Sequence, residues 1–163
     1  MSRAFVNEDQ AAALADLPVE RHVSDQPNYV TAEGLAQLQE RVARLHAQHD
    51  EEAARGDQGN KQHLADIERD LRYFNQRLQS AQVVAPATSS EKIRIGSWVT
   101  YADGDGIERR VQLVGEDQAD ASGGLINWAS PLGRALLGAS PGDTVLWRRP
   151  AGDQKIEVIA VGP

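Results

Sequence analysis

The stretch EEAARGDQGNKQ, residues 51–62, sets Glu51, Glu52 and Asp57 beside Gly56 and Gly59 with no large apolar residue among them. Asp50 stands immediately before it. Carboxylates are hard oxygen donors, and one or two of them with waters suffice to hold Mg²⁺ against phosphate. Two plainer readings compete. Asp beside Gly is ordinary turn chemistry, and a short acidic run is ordinarily a solvated helix face. His46, His49 and His63 flank the same stretch. Neutral imidazoles near carboxylates can ligate zinc, but their spacing matches no metal motif and no group that would orient the rings is evident. No metal site and no cofactor is expected. A Ser-His-Asp set, a P-loop and a dinucleotide fingerprint are all missing, so neither a catalytic residue nor an autonomous enzyme is expected.

Two apolar seams bound the acidic stretch and must position it. Thr31 reads as a helix N-cap with Glu33 favourably placed in the first turn. Leu35, Leu38, Val42 and Leu45 then follow at spacings of 3-4-3. Beyond the glycines, Leu64, Ile67, Leu71, Phe74, Leu78 and Ala81 continue at 3-4-3-4-3, a heptad seam. Each seam is too narrow to hold a helix alone, and the nearest partner is the other arm. Residues 31–82 are therefore expected to form an antiparallel coiled-coil hairpin, with Leu35 near Leu78, Leu45 near residues 67–71, and the acidic stretch at the tip. Residues 1–30 lack a sustained period and read as a flexible or only locally docked N-terminal arm. Phe5 and Tyr29 would anchor it to a partner if it binds one.

Pro86 and the Ser/Thr cluster make residues 83–92 a linker. From residue 93 to 163 the pattern turns to short β-rich runs: IGSWVTYA, ERRVQLVG, GLINWAS, DTVLWRR and KIEVIAV. DGDG at 103–106 reads as a hairpin turn. SPLGRALLG interrupts with one short helix, capped by Ser130, begun by Pro131 and ended by Gly138. Trp98, Trp128 and Trp147 are expected in the core or on a sheet face. The fold class is α+β: a helical hairpin followed by a sheet domain of about five strands with one short helix.

The 163 residues suit one or two small domains. A net charge of −7 argues against binding nucleic acid through a general basic surface. The absence of cysteine excludes disulfides and thiolate metal sites. No apolar run approaches the roughly 20 residues of a membrane span, and the N-terminus lacks a signal-peptide apolar core. A cytoplasmic monomer with no membrane partner and no sequence-specific nucleic-acid partner is expected.

Specific segments carry a resemblance. YVTAEGLAQLQERV, ARGD, IERDLRYFNQRLQSAQVV, GSWVTYADGDGIERRVQLVGEDQAD, INWASPLGRALLG and PGDTVLWRRPAGDQKIEVIAV resemble, in order, the segments of the Gre family of bacterial transcript-cleavage factors. The likeness covers residues 29–163, and the Ser-Pro-x-x-x-Ala-Leu-Leu-Gly segment is its most specific part. It implies an FKBP-like antiparallel C-terminal domain without isomerase activity. It also implies RNA polymerase as partner, docked at the rim of the secondary channel by the segment around Ser130 and Pro131, with the coiled coil entering the channel. Family members that promote cleavage carry Gly-Asp-x-x-Glu-Asn at the tip, and the two carboxylates help hold a second Mg²⁺ and a water in the polymerase.

Here the tip reads Gly56-Asp57-Gln58-Gly59-Asn60. Asp57 falls on the family's Asp, and Gly59 is nearest the place of the missing Glu. Ala129 stands where many relatives have an acid or Asn. Each arm also counts about one heptad short of cleavage-competent relatives, a loss of roughly 10 Å of reach, whereas a Mg²⁺ ligand must sit at about 2.1 Å. The expectation is a polymerase-binding elongation regulator with weak or no cleavage stimulation. The alternatives are a genuine cleavage factor acting through Asp57 with a substitute acid such as Glu52, and a short-hairpin relative of the nucleoside diphosphate kinase regulators.

Overall fold

The computed structural model describes residues 19–163. Phe5 lies outside the described residues. Two compact units divide them: the segment ending at Ser24 together with Gln39–Gln79, and Asp25–Leu38 together with Ser80–Pro163.

In the first unit, helix α1 (Ala32–Ala54) and helix α2 (Lys61–Ser80) are joined by a single 3-10 turn at Gly56–Gln58. The unit takes α1 from Gln39 onward. Leu45, Ile67 and Leu71 bury one another, with Phe74 packed against them, so Leu45 meets residues 67–71 as the 3-4 spacing predicts. His49 Nε2 reaches Glu68 Oε1 across the arms at 3.2 Å. The antiparallel hairpin is thus present, and its apolar stripe is narrow. Tyr73 and Arg77 are buried as well, although neither belongs to the seam.

In the second unit, β1 (Tyr29–Val30) pairs in parallel with β2 (Gln82–Val83). Gln82 N donates to Asn28 O at 2.8 Å, Val84 N to Val30 O at 2.9 Å, and Asn28 Nδ2 to Ser80 Oγ at 3.1 Å. Thr31 caps α1 as expected: its Oγ1 accepts from Gly34 N at 3.0 Å and donates to Gln118 Oε1 at 2.7 Å. Gly115 fits here because a Cβ would stand 2.5 Å from Tyr29 O.

The main sheet holds β3 (Trp98–Ala102), β4 (Glu108–Val114), β5 (Leu125–Asn127), β6 (Thr144–Trp147) and β7 (Gln154–Gly162), in the order β5-β4-β3-β7-β6. These are the five β-rich runs of the sequence, and 103–106 turns β3 into β4 with Asp103 Oδ1 accepting from the amides of Asp105 and Ile107. The β3–β4, β3–β7 and β6–β7 ladders are antiparallel, whereas β5 joins β4 in parallel. That departure from an all-antiparallel sheet has a local cause. The chain after β4 makes two 3-10 turns, Glu116–Gln118 and Ala121–Gly123, and re-enters in the direction it left.

Helix α3 (Pro131–Leu136) carries Leu136 into the core. There it joins Ile93, Val99, Tyr101, Val111, Leu113, Ile156, Val158 and Val161. Strand β3 alternates half-buried and buried residues, and the buried set faces the helix side, as a period of two requires. Trp147 packs half-buried against this core, and Trp98 and Trp128 are also half-buried.

Candidate functional site

The hairpin tip is assembled from a few hydrogen bonds. Helix α1 runs into the 3-10 turn through Arg55 N to Glu52 O at 3.2 Å. Gly56 then takes a φ of +56°, which favours glycine. Asn60 starts α2, its Oδ1 accepting from His63 N at 3.1 Å and its O from Leu64 N at 3.0 Å. The last link is Glu52. Its Oε1 accepts from Asn60 N at 2.5 Å, and its Oε2 lies 3.5 Å from the Arg55 guanidinium. The Glu52 side chain is only 8% exposed. A charge-assisted bond to an otherwise unsatisfied helix N-terminal amide is among the stronger hydrogen bonds available. Glu52 therefore staples the end of α1 to the start of α2.

The other tip acids differ. Glu51 is exposed and accepts from Arg55 Nη2 at 3.3 Å, one helical turn on. Asp57 is exposed on the 3-10 turn and makes no hydrogen bond or ion pair among the described residues. So the structure gathers Glu51, Glu52 and Asp57 within one tip but leaves only Asp57 with an unengaged carboxylate. Gly59 sits against Glu52: a Cβ there would lie 3.0 Å from Glu52 O and 3.2 Å from its Oε1.

The histidines do not form a ligand set. His49 bonds Glu68, while His46 and His63 are exposed. Among the described residues no group of three or more His, Asp or Glu stands close enough to hold a metal ion.

A second constellation lies in the sheet unit, at the exit of β5. Ser130 caps α3: its Oγ accepts from Gly133 N at 3.1 Å and donates to Asn127 O at 2.6 Å. Asn127 Oδ1 accepts from Ala129 N at 3.0 Å, which fixes the chain before the cap. Pro131 is exposed at the first turn of α3. Beside it opens a cleft of about 500 Å³, lined by Ser130, Pro131, Leu132, Trp147, Arg148 and Arg149 among others. The helix lies so close to the β5 exit that a Cβ on Gly133 would meet Asn127 O at 2.3 Å and Trp128 O at 2.6 Å. Trp128 itself packs on Tyr29, ring centroids 5.3 Å apart. Sequence reasoning passed over Asn127, Gly133 and the buried role of Glu52. A glycine inside a helix of six residues was the available signal for Gly133. Glu52 gave none, because a buried staple and a solvated acid look alike in sequence.

With this geometry in view, residues 88–163 match the family described as transcription elongation factor GreA/GreB, C-terminal. Residues 88–163 thus carry a Gre-family C-terminal domain. The chain is similar to transcription elongation factor GreB of Neisseria meningitidis serogroup A, 36% identical over 103 residues that make up 62% of this chain and 63% of that protein. It is also similar to transcription elongation factor GreA of Cereibacter sphaeroides, 40% identical over 96 residues, 58% of this chain and 64% of the relative. The chain thus spans less than two thirds of the length of these curated relatives. Among solved structures, GreA factor homolog 1 of Thermus thermophilus aligns with 85% of this chain and 100% of its own, at 25% identity and a TM-score of 0.41.

One expectation is corrected by these names. The sequence motifs led us to exclude an enzyme outright. The GreA relatives are named transcription elongation factors, and that name supports neither an enzyme nor the exclusion of one. The absence of a catalytic triad or P-loop therefore decides nothing in this family, and the exclusion is withdrawn. No helix of the described residues is long and apolar enough to cross a membrane.

Proposed function

We propose that this chain, with its Gre-family C-terminal domain, binds RNA polymerase at its secondary channel and modulates transcription elongation, with weak or no stimulation of transcript cleavage. Docking falls to the corner at Ser130 and Pro131, and the hairpin enters the channel. The observation that carries the cleavage part is the engagement of Glu52. Holding a second Mg²⁺ with its water takes carboxylates that are free to coordinate. Asp57 offers one. Glu52, the nearest substitute for the missing second acid, is buried and bound to Asn60 N at 2.5 Å. Releasing it would leave a helix-start amide without its partner. The short reach read from the two arms acts in the same direction.

The test is RNA cleavage in a backtracked complex, with and without the protein at equal occupancy. Binding, competition with a cleavage-competent Gre factor and essentially unchanged cleavage are the expected results. A large acceleration that disappears in Asp57→Ala would overturn the proposal. It would favour the second reading, a cleavage factor working through Asp57, whose exposed and unengaged carboxylate is the one observation on that side. Adding Glu at position 59 alone is not a clean gain-of-function test, because its Cβ would press on Glu52 O at 3.0 Å. Lengthening both arms by a heptad must accompany it.

A further inference from the structure

A second stripe runs along α2 beside the heptad seam. Asp70, Tyr73 and Arg77 follow one another at 3-4 spacing, and Tyr73 is 7% exposed although the hairpin seam does not need it. What lies on this stripe comes from the chain before β1. The Arg21 guanidinium sits 4.0 Å from the Tyr73 ring centroid and 4.9 Å from that of Phe74. Its Nη1 donates to Asp70 Oδ1 at 3.4 Å, and the Asp70 side chain is 19% exposed. The two rings meet edge to face with centroids 4.9 Å apart, so they offer the cation a pair of π surfaces. One residue earlier, Glu20 pairs with Arg72. That hydrogen bond holds the Glu20 carboxyl below its ordinary range and Arg72 above its own.

We propose that Asp70, Tyr73 and Phe74 form a guanidinium-binding site on the hairpin, which the chain fills in cis with Arg21, so that the segment around Glu20 and Arg21 is a strap latched across α2. The chemistry is specific to a planar cation. A carboxylate takes the N–H edge while the aromatic rings take the π face, and an ammonium, although a ring attracts it, has no plane to lay on the rings while donating sideways to the carboxylate. The Glu20–Arg72 pair sets the register of the strap by placing opposite charges in the opposite order. While the strap is closed, this face of the hairpin is covered. An arginine on an extended segment of a partner is the chemical group that would compete for it. The inference does not depend on the polymerase reading.

The experiment uses the full chain and the reactivity of Tyr73 toward nitration by tetranitromethane, read by peptide mass. The chain has three tyrosines. Tyr101, in the sheet core, is the protected reference, and half-buried Tyr29 is the reactive one. Arg21→Ala is expected to raise Tyr73 nitration about five-fold, the scale of losing an exposed cation–π contact, with helicity and the Tyr29 rate unchanged. Arg21→Lys should give nearly the same rise. If Lys protects as well as Arg, the site reads charge alone and the guanidinium assignment fails. If Arg21→Ala leaves Tyr73 as protected as the parent, the strap is not what covers it and the proposal is overturned. Should Arg21→Ala also lose helicity, the parent protein is nitrated across a salt series. There a rise in Tyr73 reactivity at constant helicity supports an ionic latch, and a flat profile refutes it.

Discussion

The hairpin and the sheet are stabilised in different ways. In the sheet unit ten buried residues share one core, and the side chains of Val99, Leu113, Leu136 and Val158 are fully shielded. In the hairpin unit the apolar cluster is three buried residues with Phe74 beside them. Among the described residues of that unit Val42 and Tyr73 are also buried, and polar contacts add to them: Glu52 to Asn60, His49 to Glu68, Arg21 to Asp70 and Glu20 to Arg72. A wide core tolerates the loss of one contact because neighbouring atoms remain. A narrow seam has little redundancy, and its surface ion pairs individually contribute little. The difference assigns fragility to the unit that bears the tip and robustness to the unit that bears the Ser130 corner.

The strongest way to break this comparison is Leu71→Asp. A buried unpaired carboxylate in a seam this narrow should cost on the order of 4 kcal/mol and melt the hairpin. Circular dichroism should lose most of its helical signal, while emission from Trp98, Trp128 and Trp147, all in the sheet unit, stays native. Unchanged helicity would mean the seam is not what holds the arms. Next in size is Gly133→Ala in the robust unit. Its Cβ has no room before Asn127 O and Trp128 O, and a clash with backbone cannot be relieved by a rotamer change. About 2 kcal/mol of destabilisation is expected, read as a lower midpoint of the tryptophan-monitored transition with hairpin helicity kept. Equal stability would show that α3 can shift freely away from the β5 exit.

A smaller effect sharpens the contrast at the tip. Glu52→Gln keeps the shape of the staple but removes its charge, and should cost about 1 kcal/mol of hairpin stability. Amide exchange at Asn60 should accelerate while the β3 amides stay as slow as before. If Asn60 exchanges no faster, Glu52 is not its acceptor in solution, and its carboxylate is available for other work. The smallest effect is in pH. Burial pushes the Tyr101 phenol above its ordinary value. For a raised pKa the folded state keeps its proton longer than the unfolded state, so this stabilisation is complete below the ordinary tyrosine range and is lost as pH rises through the folded value. Alkaline titration followed by ultraviolet absorbance should show the Tyr101 phenol ionising late, together with loss of the sheet and not before it. Ionisation of Tyr101 below the unfolding transition would contradict the burial.

The legible parts of the sequence were those that repeat or punctuate. The 3-4 spacing from Leu64 to Leu78 fixed an amphipathic helix whose partner had to be the preceding one. Thr31 and Ser130 announced helix starts because a hydroxyl before a helical run satisfies an amide that is otherwise orphaned. The five β-rich runs became β3 to β7 in order, because alternation of period two can bury only one face. The candidate site was legible only in its composition. That the tip carries three acids was visible, but which of them is free was not.

What the sequence by itself determined is therefore local: element type, caps, turns, and the family signature around Ser130 and Pro131. Tertiary structure alone decided the rest. It paired Tyr29–Val30 with Gln82–Val83, set β5 parallel to β4, and brought Arg21 onto Tyr73 and Phe74. It also turned Glu52 inward to Asn60 while leaving Asp57 outside. The physical reason is common to all four. Periodicity and capping act over a few residues and leave a mark at fixed spacing. A hydrogen bond or cation–π contact between distant segments imposes no spacing at all, and the same Glu, Arg or Tyr serves equally well exposed to water until the fold supplies its partner.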